Sequence, residues 1–567
     1  MFSAPRWTQR RKRLAAVAAA ALTAPLLWAV GTTASTAQAA APTADWLHTR
    51  GNQIIDEAGN PVWLTGTNWF GFNATERVFH GLWSANMTEV TKSMADRGIN
   101  IVRVPISAQL LLEWKAGQAT VSSGVNTYAN PELAGKTTLQ VFDAFLALCE
   151  RFGIKVMLDV HSAEADNSGH IYPVWWKGSI TSEQFYQAWE WVATRYRSND
   201  TLVAMDVKNE PHGKAGETPR AKWDSSTDQD TFKAACETAG RRILAINPNV
   251  LILCEGIEIY PKDGANWSSA AGTDYYSTWW GGNLRGAAAH PVNLGANADQ
   301  LVYSPHDYGP LVFNQPWFDK PFDKASLTAE VWTPNWLYLH DGNTAPLLIG
   351  EWGGRLGQDP RQDKWMTALR DLIVEKRLHQ TFWVLNPNSG DTGGLLLDDW
   401  KTWDEQKYAL LKPALWQYQN KFVSLDHQVR LGGAGSTTGI SLGERYGTEP
   451  PSSEPPSTPP GTPSEPPAGE CSATLRTLGS WTGGFQAEVT VHNTGSSASR
   501  GWTVTWTYPS GTTVASLWNG VLTSPGPNVG VRNVDHNGAI APGGSVTFGF
   551  IGSGAAATPP AVTCART

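Results

Sequence analysis

The stretch "VAMDVKNEPHG", residues 203–213, begins with buried-strand character and ends in Lys208, Asn209, Glu210 and His212. A short apolar run that releases polar groups at its carboxyl end suits a parallel strand walled in by helices and opening on a ligand site. Seven other runs have the same form: "VWLTGTNW" (62–69), "NIVRVPI" (100–106), "IKVMLDVH" (154–161), "VLILCEGI" (250–257), "LVYSPHDY" (301–308), "PLLIGEW" (346–352) and "HQTFWVLN" (379–386). Between most of them lie segments of helical periodicity, such as "TTLQVFDAFLALCERFG" and "TFKAACETAGRRILAINP", stopped by Gly or Pro. Parallel strands need crossovers, so eight strands alternating with helices over residues 43–425 predict an α/β fold, a (β/α)8 TIM barrel. An open doubly wound sheet is the alternative, but no glycine-rich phosphate loop follows the first run.

Outward from the barrel the composition changes. "TEPPSSEPPSTPPGTPSEPPAG", residues 448–469, is nearly all Pro, Ser, Thr, Gly and Glu, which builds no core and favours extended conformations. It reads as a linker, and the Gly- and Ser-rich residues 426–447 before it read as a loose lead-in, giving a linker of 426–469. Residues 470–567 alternate apolar and polar in "FQAEVTVHNTG", "GWTVTWTYPSG" and "SVTFGFIG", with Gly, Pro and Asn-Gly turns between, which predicts an all-β sandwich. At the other end, Arg6, Arg10, Arg11, Lys12 and Arg13 precede "LAAVAAAALTAPLLWAV" and then small residues. That order predicts a secretory signal peptide over residues 1–41, cleaved near Ala39 to Ala41, rather than a membrane anchor, and hence a secreted, extracellular protein with no membrane in its mature form.

Loss of those five cations takes the formal charge from −7 to −12, so the mature chain offers no basic surface for nucleic acid. A monomer is expected. Five cysteines, at 149, 236, 254, 471 and 564, show no metal-type spacing. Cys471 and Cys564 bracket the small unit and, in an exported protein, read as a disulfide worth roughly 4 to 5 kcal/mol. Cys149, Cys236 and Cys254 read as small buried hydrophobes.

Catalytic groups of such a barrel gather at the carboxyl ends of its strands. The polar residues closing the eight runs are Asn68, Arg103, His161, Asn209, Glu210, Glu255, His306, Tyr308 and Glu351, with Trp383. Two carboxylates facing each other can break a glycosidic bond, one attacking the anomeric carbon while the other protonates the leaving oxygen. Position alone leaves Asp159, Asp206, Glu210, Glu255 and Glu351 as candidates. Glu210 and Glu351 close the fourth and seventh runs, across the barrel from one another, whereas Asp159 and Asp206 lie deeper, where a supporting hydrogen bond or ion pair fits them better. Glu255 suits a structural or charge-tuning role. No metal or other cofactor is expected, since these carboxylates do not suggest a cage.

"NEPH" after the fourth run, "GEWG" at the seventh, "RVP" at the second, "SPHDY" at the sixth and "FWVLNPNSGDTGG" at the eighth resemble glycoside hydrolase family 5, and within it the secreted bacterial endoglucanases. The likeness spans nearly all of residues 45–420, through "GTNWFGF", "HGLWS" and "WWGGNLRGA". It implies a retaining β-1,4-glycanase acting on cellulose or a related β-glucan, with Glu210 as acid/base and Glu351 as nucleophile. It further implies that Asn209 holds the sugar 2-hydroxyl, that Arg103 keeps Glu351 ionised, and that His306 and Tyr308 position the nucleophile and the sugar. His161 matches a substrate-contacting histidine and Trp383 the platform under the sugar at the cleavage point; of the other tryptophans, Trp69 is expected in the groove, while Trp175, Trp176, Trp279, Trp280 and Trp352 read as core or rim.

The chain departs from the family pattern in four places. "SAEADNSGHIYPVWW" follows "LDVH" where Arg-Pro is common, "ISAQ" follows "RVP", Leu385 replaces a second Trp, and Lys208 stands where a His or small residue is usual. These affect the expected glycan, and leave a β-mannanase or mixed-linkage glucanase as alternatives on the same fold, with a noncatalytic glycan-binding protein as the alternative from another class.

The small unit resembles carbohydrate-binding module family 2 through its cysteine pair and "GSWTGGF", "GWTVTW", "SLWNG" and "HNGAIAPGG". Trp481 and Trp518 match two surface tryptophans, and His536 stands at the third platform position, where an imidazole offers less stacking area. Trp502 and Trp506 follow the core pattern. Gly484, where the xylan-binding branch carries Arg, favours cellulose.

Overall fold

Eight short parallel strands form the wall of the larger unit: β1 (Thr65–Asn68), β2 (Ile101–Ser107), β3 (Lys155–Ser162), β4 (Leu202–Asp206), β5 (Leu251–Cys254), β6 (Leu301–Tyr303), β7 (Leu348–Ile349) and β8 (His379–Phe382). They pair in the order β6-β5-β4-β3-β2-β1-β8-β7, and single parallel bridges, Tyr303 to Leu347 and His306 to Glu351, bring β6 and β7 together. The computed structural model describes residues 44–447 and 471–566, apart from 482, 509–511, 526–527, 535–536, 555–559 and 561. All eight runs predicted as strands therefore supply a barrel strand. The expected signal segment 1–41 and the Pro-rich stretch 448–469 lie outside the described residues.

Strands buried on both faces read as continuous apolar runs, and every residue of β2 and β3 is buried. The surrounding helices begin at strong local signals, as at the Asn86 cap of α1 (Met87–Asp96) and the Ser107 cap of α2 (Ala108–Lys115). Before α3 (Thr138–Phe152) and α4 (Ser182–Arg195), Thr137 with Gln140 and Thr181 with Gln184 form capping boxes that satisfy free N–H groups of the first turn. From α3 the residues Val141, Phe142, Phe145, Leu146 and Cys149, spaced at three and four, turn inward against the strands. Gly153, at φ +69°, then ends the helix in a left-handed cap that a side chain would disfavour.

Two expectations are corrected here. Cys236, on helix α5 (Phe232–Ile246), and Cys254, on β5, are not separate buried thiols but a disulfide. Both residues are buried, as small hydrophobes would be, but on a helix and a strand that meet. With a sequence separation of 18, the bond contributes about 3 kcal/mol in the loop-entropy treatment. Cys149 is a free buried thiol, as expected, and burial pushes it well above the ordinary thiol range.

Residues 426–447 are likewise not a loose lead-in. Gly439–Ile440 pairs in parallel with Lys421–Val423, and Leu431 and Leu442 are buried in the large core. His427 places Nδ1 2.6 Å from Asp45 and Nε2 3.2 Å from Asp56, fastening this segment to the hairpin Leu47–Arg50/Gln53–Asp56. Lys155, at the start of β3, bonds Asp45 at 2.8 Å and meets Asp426 at 3.4 Å. The glycines that suggested looseness serve tight turns instead: Gly432, Gly433 and Gly435 all have φ between 79° and 95°.

The smaller unit is a pair of antiparallel four-stranded sheets, Cys471–Trp481, Gly484–Asn493, Ser545–Ser553 and Thr513–Trp518 in one, Val521–Pro525, Asn528–Arg532, Trp502–Thr507 and Val562–Arg566 in the other. Trp502 and Trp506 are core, and Cys471 is bonded to Cys564. Trp518 is 41% exposed. Trp481 ends the first strand, and His536 lies outside the described residues.

Candidate active site

Arg103, the third residue of β2, points into the barrel and is fully buried. Its guanidinium is the hub of the strand ends. Nε donates to Asp206 at 2.8 Å, Nη1 to Glu351 at 2.8 Å and Asn68 at 3.1 Å, and Nη2 to Asn209 and Glu255 at 3.1 Å each, with Asp159 3.2 Å away. A planar fork with five donors can serve this many acceptors, which a lysine could not. Burial opposes its charge, but Asp159, Asp206, Glu351 and Glu255 hold it well above the ordinary arginine value.

Glu351 follows β7 and is gripped at both oxygens, Oε1 by Arg103 and Oε2 by the Tyr308 hydroxyl at 2.7 Å. Burial raises its carboxyl above the usual range, while His306, Arg103 and Tyr308 pull it back toward the ionised form. Glu210 follows β4 with φ +46°, a left-handed backbone uncommon for a residue with a side chain. Its N–H donates to Glu255 Oε2 at 2.7 Å, and its Oε1 lies 3.0 Å from His306 Nδ1. The other His306 nitrogen is 3.2 Å from Glu255. With carboxylates at both nitrogens the ring is best satisfied as imidazolium; burial disfavours that charge, yet Glu255 and Glu351 hold it well above the ordinary histidine value.

A cleft of about 990 Å³ opens over these groups, lined among others by Phe70, His161, His170, Trp280 and Trp383 together with both glutamates. The rings of Phe70, Trp383 and His161 lie nearly parallel, with successive centroids 5.7 and 5.6 Å apart. His161 is oriented by Asp159 at 2.7 Å. Asn209 spends its carbonyl on Arg103, and among the described residues its buried Nδ2 has no hydrogen-bond partner, so an amide donor stands ready at the strand end.

The structure moves two expectations. Trp69 is not in the groove: it is 1% exposed, stacked 4.1 Å from Phe79 and edge-on to Phe145 of α3, and its indole N–H donates to the His80 carbonyl. Phe70 takes the groove position instead. The carboxylates, which suggested no cage in the sequence, are also drawn into clusters. Asp159, Asp206 and Glu255 bring one oxygen each within 4.8 Å of one another, and an oxygen each of Glu210 and Glu351 lies as close to a ring nitrogen of His306 and to the other. The first group converges because Arg103 is bonded to all three of its members. Phe70 and His170 are among the cleft residues that strand-end reasoning missed, and Trp280, read as core or rim, lines the cleft as well. They sit in loops, and of the neighbours Trp69 and Phe70 nothing local said which faced outward.

Acidic side chains paired across the mouth of a (β/α)8 barrel, in an open groove with aromatic faces, define a glycosidase. Residues 55–389 match the model of the cellulases, glycosyl hydrolase family 5, and residues 471–567 that of the cellulose binding domain. The chain belongs to the cellulases of glycosyl hydrolase family 5. It is 49% identical over 454 residues to endoglucanase G of Acetivibrio thermocellus, covering 74% of this chain and 79% of that protein. It is 33% identical over 516 residues to the major extracellular endoglucanase of Xanthomonas campestris pv. campestris, covering 91% of this chain and 96% of the other. The solved catalytic domain of that enzyme is 33% identical with a TM-score of 0.58, covering 65% of this chain and 99% of that one.

Proposed function

We propose that the chain is a secreted endo-β-1,4-glucanase that hydrolyses internal bonds of cellulose with retention at the anomeric carbon, Glu351 acting as nucleophile and Glu210 as acid/base. The observation that carries this is the closeness of the two glutamates, an oxygen of each lying within 4.8 Å of the other. Retaining enzymes hold their carboxyl groups about 5 Å apart, whereas inverting ones need about 6.5 to 9.5 Å to admit a water.

The two carboxylates differ in a way that fits the two roles. Glu351, gripped at both oxygens, is held rigidly for attack on the anomeric carbon. As that bond forms, Glu210 gives its proton to the departing glycosidic oxygen, and the glycosyl unit remains on Glu351 as an ester. Glu210, now ionised, takes a proton from water, whose oxygen attacks the same carbon and releases the Glu351 carboxylate. Asn209 Nδ2 is suited to a sugar hydroxyl, and the parallel faces of Phe70 and Trp383 to the apolar face of a pyranose. Secretion is supported by the basic, apolar and small-residue order of residues 1–41 and by the extracellular relative.

Release of reducing ends from carboxymethylcellulose, glucomannan and lichenan tests the reading, with Glu351→Ala as control. Preferred release from carboxymethylcellulose, lost by at least about a thousandfold in the control, is expected. Preference for glucomannan would make it a mannanase, preference for lichenan a mixed-linkage glucanase, and no release from any would leave only glycan binding.

A further inference from the structure

Lys208, immediately after Val207 at the end of β4, is fully buried and has no part in the mechanism above. Its ammonium is bonded to two backbone carbonyls, those of Asn209 and, at 3.4 Å, of His161. The first of these belongs to the peptide that joins Asn209 to Glu210. The N–H of the same peptide donates to the Glu255 carboxylate at 2.7 Å. One peptide unit thus has a cation on its C=O and an anion on its N–H, each at the end of the dipole that favours it. It is also the peptide that leads into the left-handed Glu210 backbone, at φ +46°, a conformation that persists only where its surroundings hold it.

We propose that Lys208 is a positioning residue for Glu210: with Glu255 it clamps the Asn209–Glu210 peptide, fixing the acid/base carboxyl over the cleft and supplying a positive field without covering its oxygens. The inference rests on the acid/base reading of Glu210. An ammonium in direct contact with that carboxyl would occupy the atoms that must exchange a proton; bonded to carbonyls, it leaves them open to His306 and substrate. The second bond ties the clamp to the end of β3, where Asn209 N–H already donates to Val160 at 3.0 Å. The charged and titratable groups facing Lys208 are Asp159 and His161 on β3, Asp206, Glu210 and His212 on and after β4, Glu255 after β5, and His170 in the loop after β3. Burial pulls the ammonium below the ordinary lysine value, and Glu255, Asp159, Glu210 and Asp206 draw it back.

Two variants separate the clamp from the charge. Lys208→Met removes both; Lys208→Gln keeps an amide donor and removes the charge. On cellotetraose, Lys208→Met is expected to lower kcat more than about tenfold with KM within about threefold, and Lys208→Gln to recover part of that loss. In both, the high-pH arm of the kcat/KM profile moves up by about half to one unit, because losing a nearby cation favours the protonated acid. A purely structural role would leave that arm in place. A kcat within twofold of wild type in Lys208→Met, a loss carried by KM, an unmoved arm in both variants, or failure of both to fold would each overturn the proposal. Glu210→Gln, assayed on an aryl cellobioside whose leaving group needs no proton, must lose the high-pH arm. If the arm survives there, the acid/base reading of Glu210 has failed, which is a separate result from any on Lys208.

Discussion

Tyr308 makes the simplest test of how Glu351 is held. Its hydroxyl is the only described side-chain donor on Glu351 Oε2, at 2.7 Å, while Arg103 serves the other oxygen. A hydrogen bond to a charged group contributes about 1.5 to 3 kcal/mol, so Tyr308→Phe should lower kcat about 10- to 100-fold while leaving the KM for cellotetraose little changed. A rise in KM with kcat intact would show instead that the hydroxyl serves substrate binding. At this scale the sequence was most informative where residues close strands: Arg103, Asn209, Glu210, His306, Tyr308 and Glu351 all arrive in one hydrogen-bonded group. It failed at Trp69 because two adjacent aromatics follow β1, and choosing between them requires knowing that Phe79 and Phe145 leave a slot behind the strand. Lys208, which no chemistry demanded, makes sense only once the peptide it bonds is seen to be bonded to Glu255 as well.

Among the elements, the eight strands were legible because each lies in a short, largely buried run of the sequence that ends in polar residues. The segment 426–447 was not, because its attachment depends on ion pairs with residues far away in the chain. Both nitrogens of His427 meet carboxylates, and although burial opposes the charge, Asp45 and Asp56 push the ring up to about 9 from 6.5. A histidine raised in the folded state stabilises fully below its unfolded value and loses that contribution as pH rises through its folded one. The stability gap between the wild type and His427→Asn should therefore be widest below about pH 6.5 and shrink by about 3 kcal/mol as pH rises through about 9, as read by denaturant unfolding. A gap independent of pH would mean that His427 packs there without its charge. The disulfide between Cys236 and Cys254 escaped sequence reasoning for a related reason: a helix and the strand after it can each carry a buried cysteine without facing one another.

The whole molecule couples a catalytic unit to a β-sandwich that matches the cellulose binding domain. Trp518 is exposed at 41% on that sandwich, so Trp518→Ala in the full chain should weaken adsorption to crystalline cellulose about tenfold and slow its hydrolysis, with activity on soluble carboxymethylcellulose unchanged. Equal loss on both substrates would mean the tryptophan supports folding rather than adsorption. The composition of residues 448–469 marks a linker in the sequence alone, while the chemistry rests on the closeness of Glu210 and Glu351, residues 141 positions apart in the chain. That closeness has one direct readout. Proton NMR of the first products of cellopentaose hydrolysis, recorded before mutarotation, should show the new reducing end as the β-anomer; appearance of the α-anomer first would contradict the double displacement through Glu351.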